Sequence, residues 1–269
     1  MKKAFLAALM LSAALSACAQ QQADGETNFT FRIIDNGRVV EITGHTGSDT
    51  DVSIPDRIQN LPVTHIGEEA FLGGEWVQDG GDWTFIAGKL SSITIPGSVT
   101  HIGRWAFGNN QLACVIIPDS VTYIAEWAFR DNQLTSISIP DSVTHIGDNA
   151  FVSNQLTSAS IGNSVTHIGR TAFSGNQLTS VSIGNSVTHI GNGAFALNQL
   201  TSANIPDSVT HIGHVAFSFN QLTSVSIPDS VTHIGEEAFA GNQLTSVSVP
   251  SHTEIHPNAF DAGVTVARR

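Results

Sequence analysis

Histidine recurs at a fixed interval along most of this chain, and imidazole is the side chain best suited to metal binding and proton exchange near neutral pH. Copies of a V-T-H-I-G motif carry it, and Tyr123 replaces it once. The seven residues of this histidine column are His65, His101, His145, His167, His189, His211 and His233. If successive copies stack as β-strands do, neighbouring rings lie about 4.8 Å apart.

Pairs of histidines that close can bind zinc or copper, but a metal site normally adds a carboxylate or cysteine and has a defined ligand count. We therefore interpret the column as exposed side chains copied with their repeat, and we expect no metal and no cofactor. Because adjacent like charges oppose ionisation, we expect the pKa of these histidines in the folded protein to lie below the free value of about 6.5.

Hydroxyl side chains form a second set of columns. Thr135, Ser136 and Ser138 recur 22 residues later as Thr157, Ser158 and Ser160, and again beyond. Regular hydroxyl arrays occur on ice-binding solenoids, but those favour threonine pairs, whereas serine dominates here. The pattern favours a soluble sheet face that tolerates copying.

The large aromatic side chains are concentrated in one stretch. All four tryptophans and the only tyrosine lie there: Trp76, Trp83, Trp105, Tyr123 and Trp127. They indicate an aromatic recognition patch for protein or sugar, since Trp and Tyr dominate interface hot spots. Alternatively, an insert near 74–87 folds back and buries Trp105 and Trp127 in a local minicore.

No arrangement typical of catalysis is present. The sequence has no G-x-S-x-G, H-E-x-x-H, P-loop or C-x-x-C motif. Ser, His and Asp are abundant only because they are repeated, so no triad can be singled out. We expect no catalytic residue.

These residues belong to one repeated unit. Leucines that open each copy recur every 22 residues: Leu90, Leu112, Leu134, Leu156, Leu178, Leu200, Leu222 and Leu244. A fixed period of this length is typical of a solenoid, in which each coil buries its apolar face only against its neighbours. Near-identical coils are better suited to binding than to catalysis, which needs unlike residues converging on one point.

Within one coil, apolar and polar residues first alternate, and further apolar residues then follow at wider spacing. Ser136 to Ile139 alternates like a short strand, Pro140 ends it, and Val143 to Ile146 forms a second extended piece. Residues 148–151 resemble one helical turn that buries Ala150 and Phe151. The recurring asparagine, Asn154 in this coil, predicts an amide ladder that satisfies backbone groups at the corner. The expected fold is a mostly β repeat solenoid with short helical turns.

The N-terminus has the features of an exported lipoprotein. Lys2 and Lys3 precede an apolar run that ends in Leu15-Ser16-Ala17-Cys18, which resembles the lipobox of bacterial lipoproteins. The alternative is an ordinary signal peptide with an incidental cysteine. We expect Cys18 to be lipidated after removal of the signal, residues 1–18 being the lipoprotein signal with its lipobox. Residues 19–28 then form a flexible tether, and Asn36-Gly37 predicts a β-hairpin cap over 29–50.

Charge argues against nucleic acid. Without Lys2 and Lys3, nine basic residues remain against 23 acidic ones, a formal charge of −14. Nucleic-acid affinity depends on cationic groups that neutralise phosphates. The acidic balance fits the solubility of an exported protein, and contact with the membrane is expected through the lipid anchor only.

The repeat L-T-S-x-S-I-P-D-S-V-T-x-I-G-x-x-A-F resembles the BspA-like class of bacterial leucine-rich repeats. The resemblance covers about Asp51 to Phe260, although this chain has asparagine where many members have cysteine. It implies a curved right-handed solenoid with a sheet along one face, over 51–250, closed by a C-terminal cap at 251–269. It also implies a protein of the cell surface or outer membrane that binds protein or glycan ligands in adhesion or host interaction. A structural surface spacer, or less readily a carbohydrate-active enzyme on a solenoid scaffold, are the alternatives.

Overall fold

The computed structural model describes residues 23–79, 82–86 and 88–269. The expected signal peptide and Cys18 lie outside these residues. Residues 24–28, expected to belong to a flexible tether, are instead attached to the fold. The Asp24 amide donates to the Ser53 carbonyl and the Ser53 amide to the Asp24 carboxylate, both at 2.9 Å. A 3₁₀-helix at Glu26–Asn28 follows.

Apart from that 3₁₀-helix, the regular structure of the described chain is β-strand. In order, the strands are β1 (Phe29–Ile34), β2 (Val39–His45), β3 (Asp51–Ser53), β4 (Arg57–Ile58), β5 (Leu61–Ile66), β6 (Glu75–Asp79), β7 (Asp82–Ile86), β8 (Ser92–Thr94), β9 (His101–Ile102), β10 (Tyr123–Ile124), β11 (Ser136–Ile139), β12 (His145–Ile146), β13 (Ser158–Ile161), β14 (His167–Ile168), β15 (Ser180–Ser182), β16 (His189–Ile190), β17 (Ser202–Asn204), β18 (His211–Ile212), β19 (Ser224–Ser226), β20 (His233–Ile234), β21 (Ser246–Val249), β22 (Glu254–Ile255) and β23 (Thr265–Arg268).

One long sheet runs the length of the solenoid. Its order is β1-β2-β5-β9-β10-β12-β14-β16-β18-β20-β22, with β4 paired to the side of β5. From β2 onward the strands along this path are parallel, with a register shift between Val40 and Glu41 where β2 meets β5. From β5 onward each residue lies beside its counterpart in the next copy. β1 and β2 form an antiparallel hairpin at the N-terminal edge, and Asp35, Asn36 and Gly37 take positive φ angles in its turn.

A second row of parallel strands is shorter and interrupted. It consists of the groups β3-β8, β11-β13-β15, β17-β19 and β21-β23. The alternating Ser136 to Ile139 segment is β11, as its pattern predicts. The continuous sheet, however, passes through the two-residue strands of the V-T-H-I-G motif, such as β12 (His145–Ile146), rather than through this row.

The segment expected to form one helical turn, 148–151, forms tight turns instead. Asn149 has a φ of 59°, in the left-handed region. The amides of Asn149, Phe151 and Ser153 donate to carbonyls of the next coil, while those of Ala150 and Val152 bond within their own coil. An α-helix would direct every amide back along its own chain, so this alternation excludes it.

Stacked phenylalanines form the centre of the core. Phe107, Phe129, Phe151, Phe173, Phe195, Phe217 and Phe239 are at most 1% exposed. Ring centroids of successive coils, from Phe71 to Phe260, lie 5.2 to 5.5 Å apart. Each ring contacts the phenylalanine ring of the coil before it and that of the coil after it. The hydrophobic core is therefore continuous along the solenoid, and no coil has a complete core of its own.

The asparagine column fastens each coil to the one before it. The Asn154 amide group donates to the carbonyls of Phe129 in the previous coil, at 3.0 Å, and Phe151 in its own coil, at 3.2 Å. Its carbonyl oxygen accepts from the Leu134 amide at 3.1 Å. The same contacts recur from Asn110 to Asn242. The predicted amide ladder is therefore present, and it is buried over most of its length.

At both ends of the asparagine column, the contacts differ from those of the internal coils. The 74–87 insert leaves at Gly73 and returns at Gly88, which occupies the corner where later coils have asparagine, and β6 and β7 pair with each other there as an antiparallel hairpin. At the other end, the Asp261 carboxylate accepts from the amides of Gly241 and Asn242, at 2.9 and 3.3 Å.

We expect Asn154→Ala to lower the free energy of unfolding by about 3 kcal/mol, because it leaves a buried amide and buried carbonyls without partners. Urea denaturation followed by circular dichroism measures the loss. The neighbouring Gln155 is exposed, so Gln155→Ala should change stability by less than about 0.5 kcal/mol. Equal effects of the two substitutions would contradict a structural role for the amide.

Candidate functional site: the histidine groove and the tryptophan pair

The histidine column lies on the continuous sheet and ends on a carboxylate at each side. Strand register places Glu41 beside His65 and Glu254 beside His233. Ring centroids are 4.4 Å apart for His65 and His101, and 4.5 to 4.6 Å apart between neighbours from His167 to His233. The predicted stacking is therefore present, with planes within 13° of parallel.

Hydrogen bonds of the preceding threonines fix the tautomer of these imidazoles. The Thr188 hydroxyl donates its one proton to the Thr166 carbonyl at 3.1 Å, and lies 2.8 Å from His189 Nδ1. The oxygen can then only accept from the ring, so Nδ1 carries the hydrogen. The same pair of contacts occurs at His101, His167, His211 and His233. In the neutral rings, Nε2 is the nitrogen that remains for other partners, and at His233 it lies 3.2 Å from the Glu254 carboxylate.

Stacking and burial make several of these rings harder to protonate. Burial first, and then the charge of neighbouring histidines, lowers the pKa of His189 and of His211 below the usual 6.5. The pKa of His65 is lowered by burial and by His101, against an opposing contribution from Glu41. The direction expected from the sequence is confirmed at these three positions.

A second column of charged side chains runs beside the histidines. Arg104 lies 2.9 Å from Glu68 and 3.9 Å from Glu126, Arg170 lies 3.8 Å from Asp148, and His214 lies 3.8 Å from Glu236. These residues all follow the glycine, or the equivalent Ala125, of their motif. This charged column was not predicted from the sequence, although the change of sign between copies at this position could have revealed it.

The two columns form the walls of a shallow groove whose floor is the Ile-Gly backbone. One part, of about 500 Å³, reaches from His145 and Asp148 to His189 and Asn192. The next, of about 520 Å³, continues from His189 to His256 and Pro257. The parts share His189, Gly191 and Asn192. They form one groove, called the histidine groove below.

Trp105 and Trp127 lie together in adjacent coils, half-buried, with ring centroids 5.3 Å apart. The Arg104 guanidinium lies 4.7 Å from the Trp127 ring centre and the Arg130 guanidinium 5.2 Å from that of Trp105. Such cation–π contacts contribute about 0.5–1 kcal/mol each at exposed sites. They stabilise the stacked arrangement of the indoles, which remain partly exposed to solvent.

The other members of the expected aromatic patch lie apart or are not described. Tyr123 belongs to the histidine column, where its ring lies 5.2 Å from His145 and 6.0 Å from His101. Trp76 and Trp83 lie on β6 and β7, and their side chains are outside the described part of the chain. The structure therefore brings together two of the five residues. The minicore alternative concerns the insert's side chains and stays a prediction.

The hydroxyl columns follow the interrupted second row of strands. Their threonine hydroxyls bond to the preceding coil, as Thr157 does to the Thr135 carbonyl at 3.2 Å. Among the described residues, no group of three or more His, Cys, Asp or Glu side chains has the geometry to hold a metal ion. No helix in that same part of the chain is long and apolar enough to span a bilayer.

Comparison with known proteins identifies the repeat. A family model described as BspA type Leucine rich repeat region matches residues 78–201 and 144–265. No curated protein sequence matches the chain. Among solved structures, a leucine-rich repeat protein of T. pallidum is similar over 82% of this chain and 89% of its own, with 22% identity and a TM-score of 0.56. This likeness shows the solenoid fold.

Two further structures share lower similarity. A leucine rich cell surface protein of Faecalibacterium prausnitzii is 21% identical over 93% of this chain and 95% of its own, with a TM-score of 0.44. The pneumococcal vaccine antigen PcpA is 17% identical over 93% and 87%, with a TM-score of 0.45.

We expect the melting temperature to fall as the pH is lowered from 7.5 to 5.5. The pKa values of His189 and His211 are lowered by folding, so the unfolded chain binds more protons in this range and stability is lost as pH falls below about 6.5. The double variant His189→Gln, His211→Gln should flatten the dependence. His252 is exposed and outside the column, so His252→Gln should leave it unchanged. A melting temperature independent of pH in the unsubstituted protein would refute the argument.

Proposed function

We propose, because this chain belongs to the BspA-type leucine-rich repeat family, that it is a surface protein, held in the outer membrane by a lipid on Cys18, that binds protein or glycan ligands. Family membership and the order of the N-terminal features support the location. Three features agree in order and spacing: Lys2 and Lys3, the apolar run, and the Leu15-Ser16-Ala17-Cys18 lipobox.

The observation that carries the binding proposal is the tryptophan pair. Identical coils offer no unique address, and Trp105 and Trp127 occupy positions that in later coils hold Asn149, Thr171, Gly193, Val215 and Glu237. The residues at all of these positions have positive φ angles. Their side chains point away from the core, whereas the Ala and Phe that follow them in each copy are buried in it. The core therefore does not dictate the residue here, and a preorganised pair of large aromatic side chains is suited to recognition.

The arginines bear on the kind of ligand. Because a guanidinium lies over each indole, a sugar ring would have to displace an arginine to stack on that side. The same arrangement offers donors beside apolar edges, which suits a carboxylate or carbonyl on a protein or an acidic sugar. Arg104 contacts Glu68 through one terminal nitrogen and approaches Glu126 through Nε, and its side chain is 45% exposed, so donors of its second terminal nitrogen are accessible.

Truncating both tryptophans tests the proposal. We expect Trp105→Ala with Trp127→Ala to abolish binding to immobilised mucin and to glycan arrays while costing less than about 3 kcal/mol of stability, since the rings are only half-buried. Val215→Ala, in the same outward position, should retain binding. A larger loss of stability would favour the minicore. Unchanged binding in a well-folded double variant would reject the patch, and a protein that binds nothing in its unsubstituted form would act as a spacer.

Replacing Cys18 tests the anchor. We expect Cys18→Ser to release the protein from membranes or to block its maturation, because the acyl chains supply about 0.8 kcal/mol per buried methylene. Detergent partitioning and metabolic labelling with a fatty acid report the change. A thioether at Cys18 and a disulfide to Cys114, the only other cysteine, use the same sulfur. Two results together would contradict lipidation. The protein would take up no fatty-acid label, and its electrophoretic mobility would shift on reduction in the unsubstituted protein but not in Cys18→Ser, as a disulfide to Cys114 requires.

A further inference from the structure

The histidine groove is distinct from the tryptophan pair, and three of its coils present cationic or neutral polar groups on both walls. His167, His189 and His211 lie on one side. Opposite them are Arg170, Asn192 and His214. We propose that this section binds a linear acidic glycan of about three charged sugar residues, with successive carboxylates contacting protonated imidazoles and Arg170.

The imidazoles are arranged to act together on a linear ligand. In each coil the threonine hydroxyl accepts a hydrogen bond from the imidazole Nδ1, so protonation of the ring adds its hydrogen at Nε2. Rings 4.5 to 4.6 Å apart then present one donor per coil in a straight row. A polymer with one carboxylate per monomer and a monomer length near the spacing of β-strands, about 4.8 Å, matches this row.

The ends of the section are closed by carboxylates, which limits the length of an anionic ligand. Asp148 borders it on one side, and Glu236 and Glu254 border it on the other. Glu254 lies 3.2 Å from His233 Nε2, so that ring already has an anionic partner. Arg170 is 68% exposed despite its contact with Asp148, and its guanidinium remains accessible. His145 and His256 belong to the same end coils as Asp148 and Glu254, outside the three coils of the section.

Electrostatic linkage makes binding depend on pH. Charging neighbouring imidazoles is unfavourable in the empty groove, and burial and neighbouring histidines lower the pKa of His189 and His211. Carboxylates placed along the row would remove that repulsion and raise these pKa values again. Binding therefore takes up protons, and affinity increases as pH falls.

The residues around the groove favour a glycan over a nucleic acid. Single-stranded nucleic acids bind where bases stack on aromatic side chains. The described residues that line the two parts of the groove include no Trp, Tyr or Phe. The floor of glycine and isoleucine leaves a shallow path suited to a narrow chain, and Asn192 offers hydrogen bonds to hydroxyls.

Calorimetric titration of the full chain in detergent with trigalacturonate tests the proposal. We expect binding to be at least about tenfold tighter at pH 5.5 than at pH 7.5, with a heat that varies with buffer because protons are taken up. The methyl-esterified trimer, which lacks the charges, should not bind. The double variant His189→Asn, His211→Asn should lose at least about tenfold in affinity at pH 5.5, and Arg170→Gln should weaken binding further.

The matched control is His65→Asn with His101→Asn, which alters the same column outside the proposed section and should bind normally. Circular dichroism melts show whether each variant is folded. Equal binding of the esterified trimer, equal affinity at the two pH values, or unchanged affinity in a folded His189, His211 variant would overturn the proposal. Tighter binding of an oligothymidylate than of the trimer would assign the groove to nucleic acid. Trp105→Ala with Trp127→Ala should retain trimer binding, so the two sites fail independently.

Discussion

A single buried amide per coil connects the parts of this structure. Asn154 contacts the backbone of its own coil and that of the coil before it, on both sides of the preceding asparagine. Together with the backbone hydrogen bonds between coils, it joins the two coils whose Phe129 and Phe151 rings stack at 5.3 Å. The same coil-to-coil register brings neighbouring histidine rings to 4.4 to 4.6 Å and the two tryptophan rings to 5.3 Å on the surface. Both candidate sites are consequences of a register fixed inside the molecule.

The surface is free to vary where the backbone leaves the core. Asn149, Thr171 and Val215 have little in common, yet each takes a positive φ of 49 to 59°. A β-branched residue is unfavourable in that conformation, and the cross-coil hydrogen bonds of the adjacent turns hold it there. Because the side chain projects outward, tryptophan can replace it in two coils without disturbing Ala106 or Phe107, which remain fully buried.

Much of this architecture could be predicted from sequence because it is periodic. The period aligned the phenylalanines and asparagines, and Asn36-Gly37 located the hairpin turn. The tight turns at 148–151 were predicted as helical, although Asn149 is of a type that tolerates the left-handed conformation, because the same position holds Thr171 and Val215 in other copies, which do not signal it. The groove depended on a second column, Arg104 and Arg170 among acids, whose charges vary from copy to copy. Periodicity identifies the residues that are the same in every copy. A site formed partly by residues that differ between copies is not predicted from it.

The direction of the hydrogen bonds gives the solenoid a polarity. On the turn face, Phe151 donates toward the C-terminal neighbour, while on the strand face Gly147 donates toward the N-terminal one, at Ile124. Each internal coil thus presents one set of backbone donors and acceptors to the coil before it and another set to the coil after it. Both sets are the same in all internal coils. A coil can therefore be added or removed without changing the hydrogen bonds that its neighbours require. The terminal segments are not interchangeable: Asp261 accepts amides that only a C-terminal end leaves open. Related chains should therefore differ in length by whole coils while keeping both terminal segments.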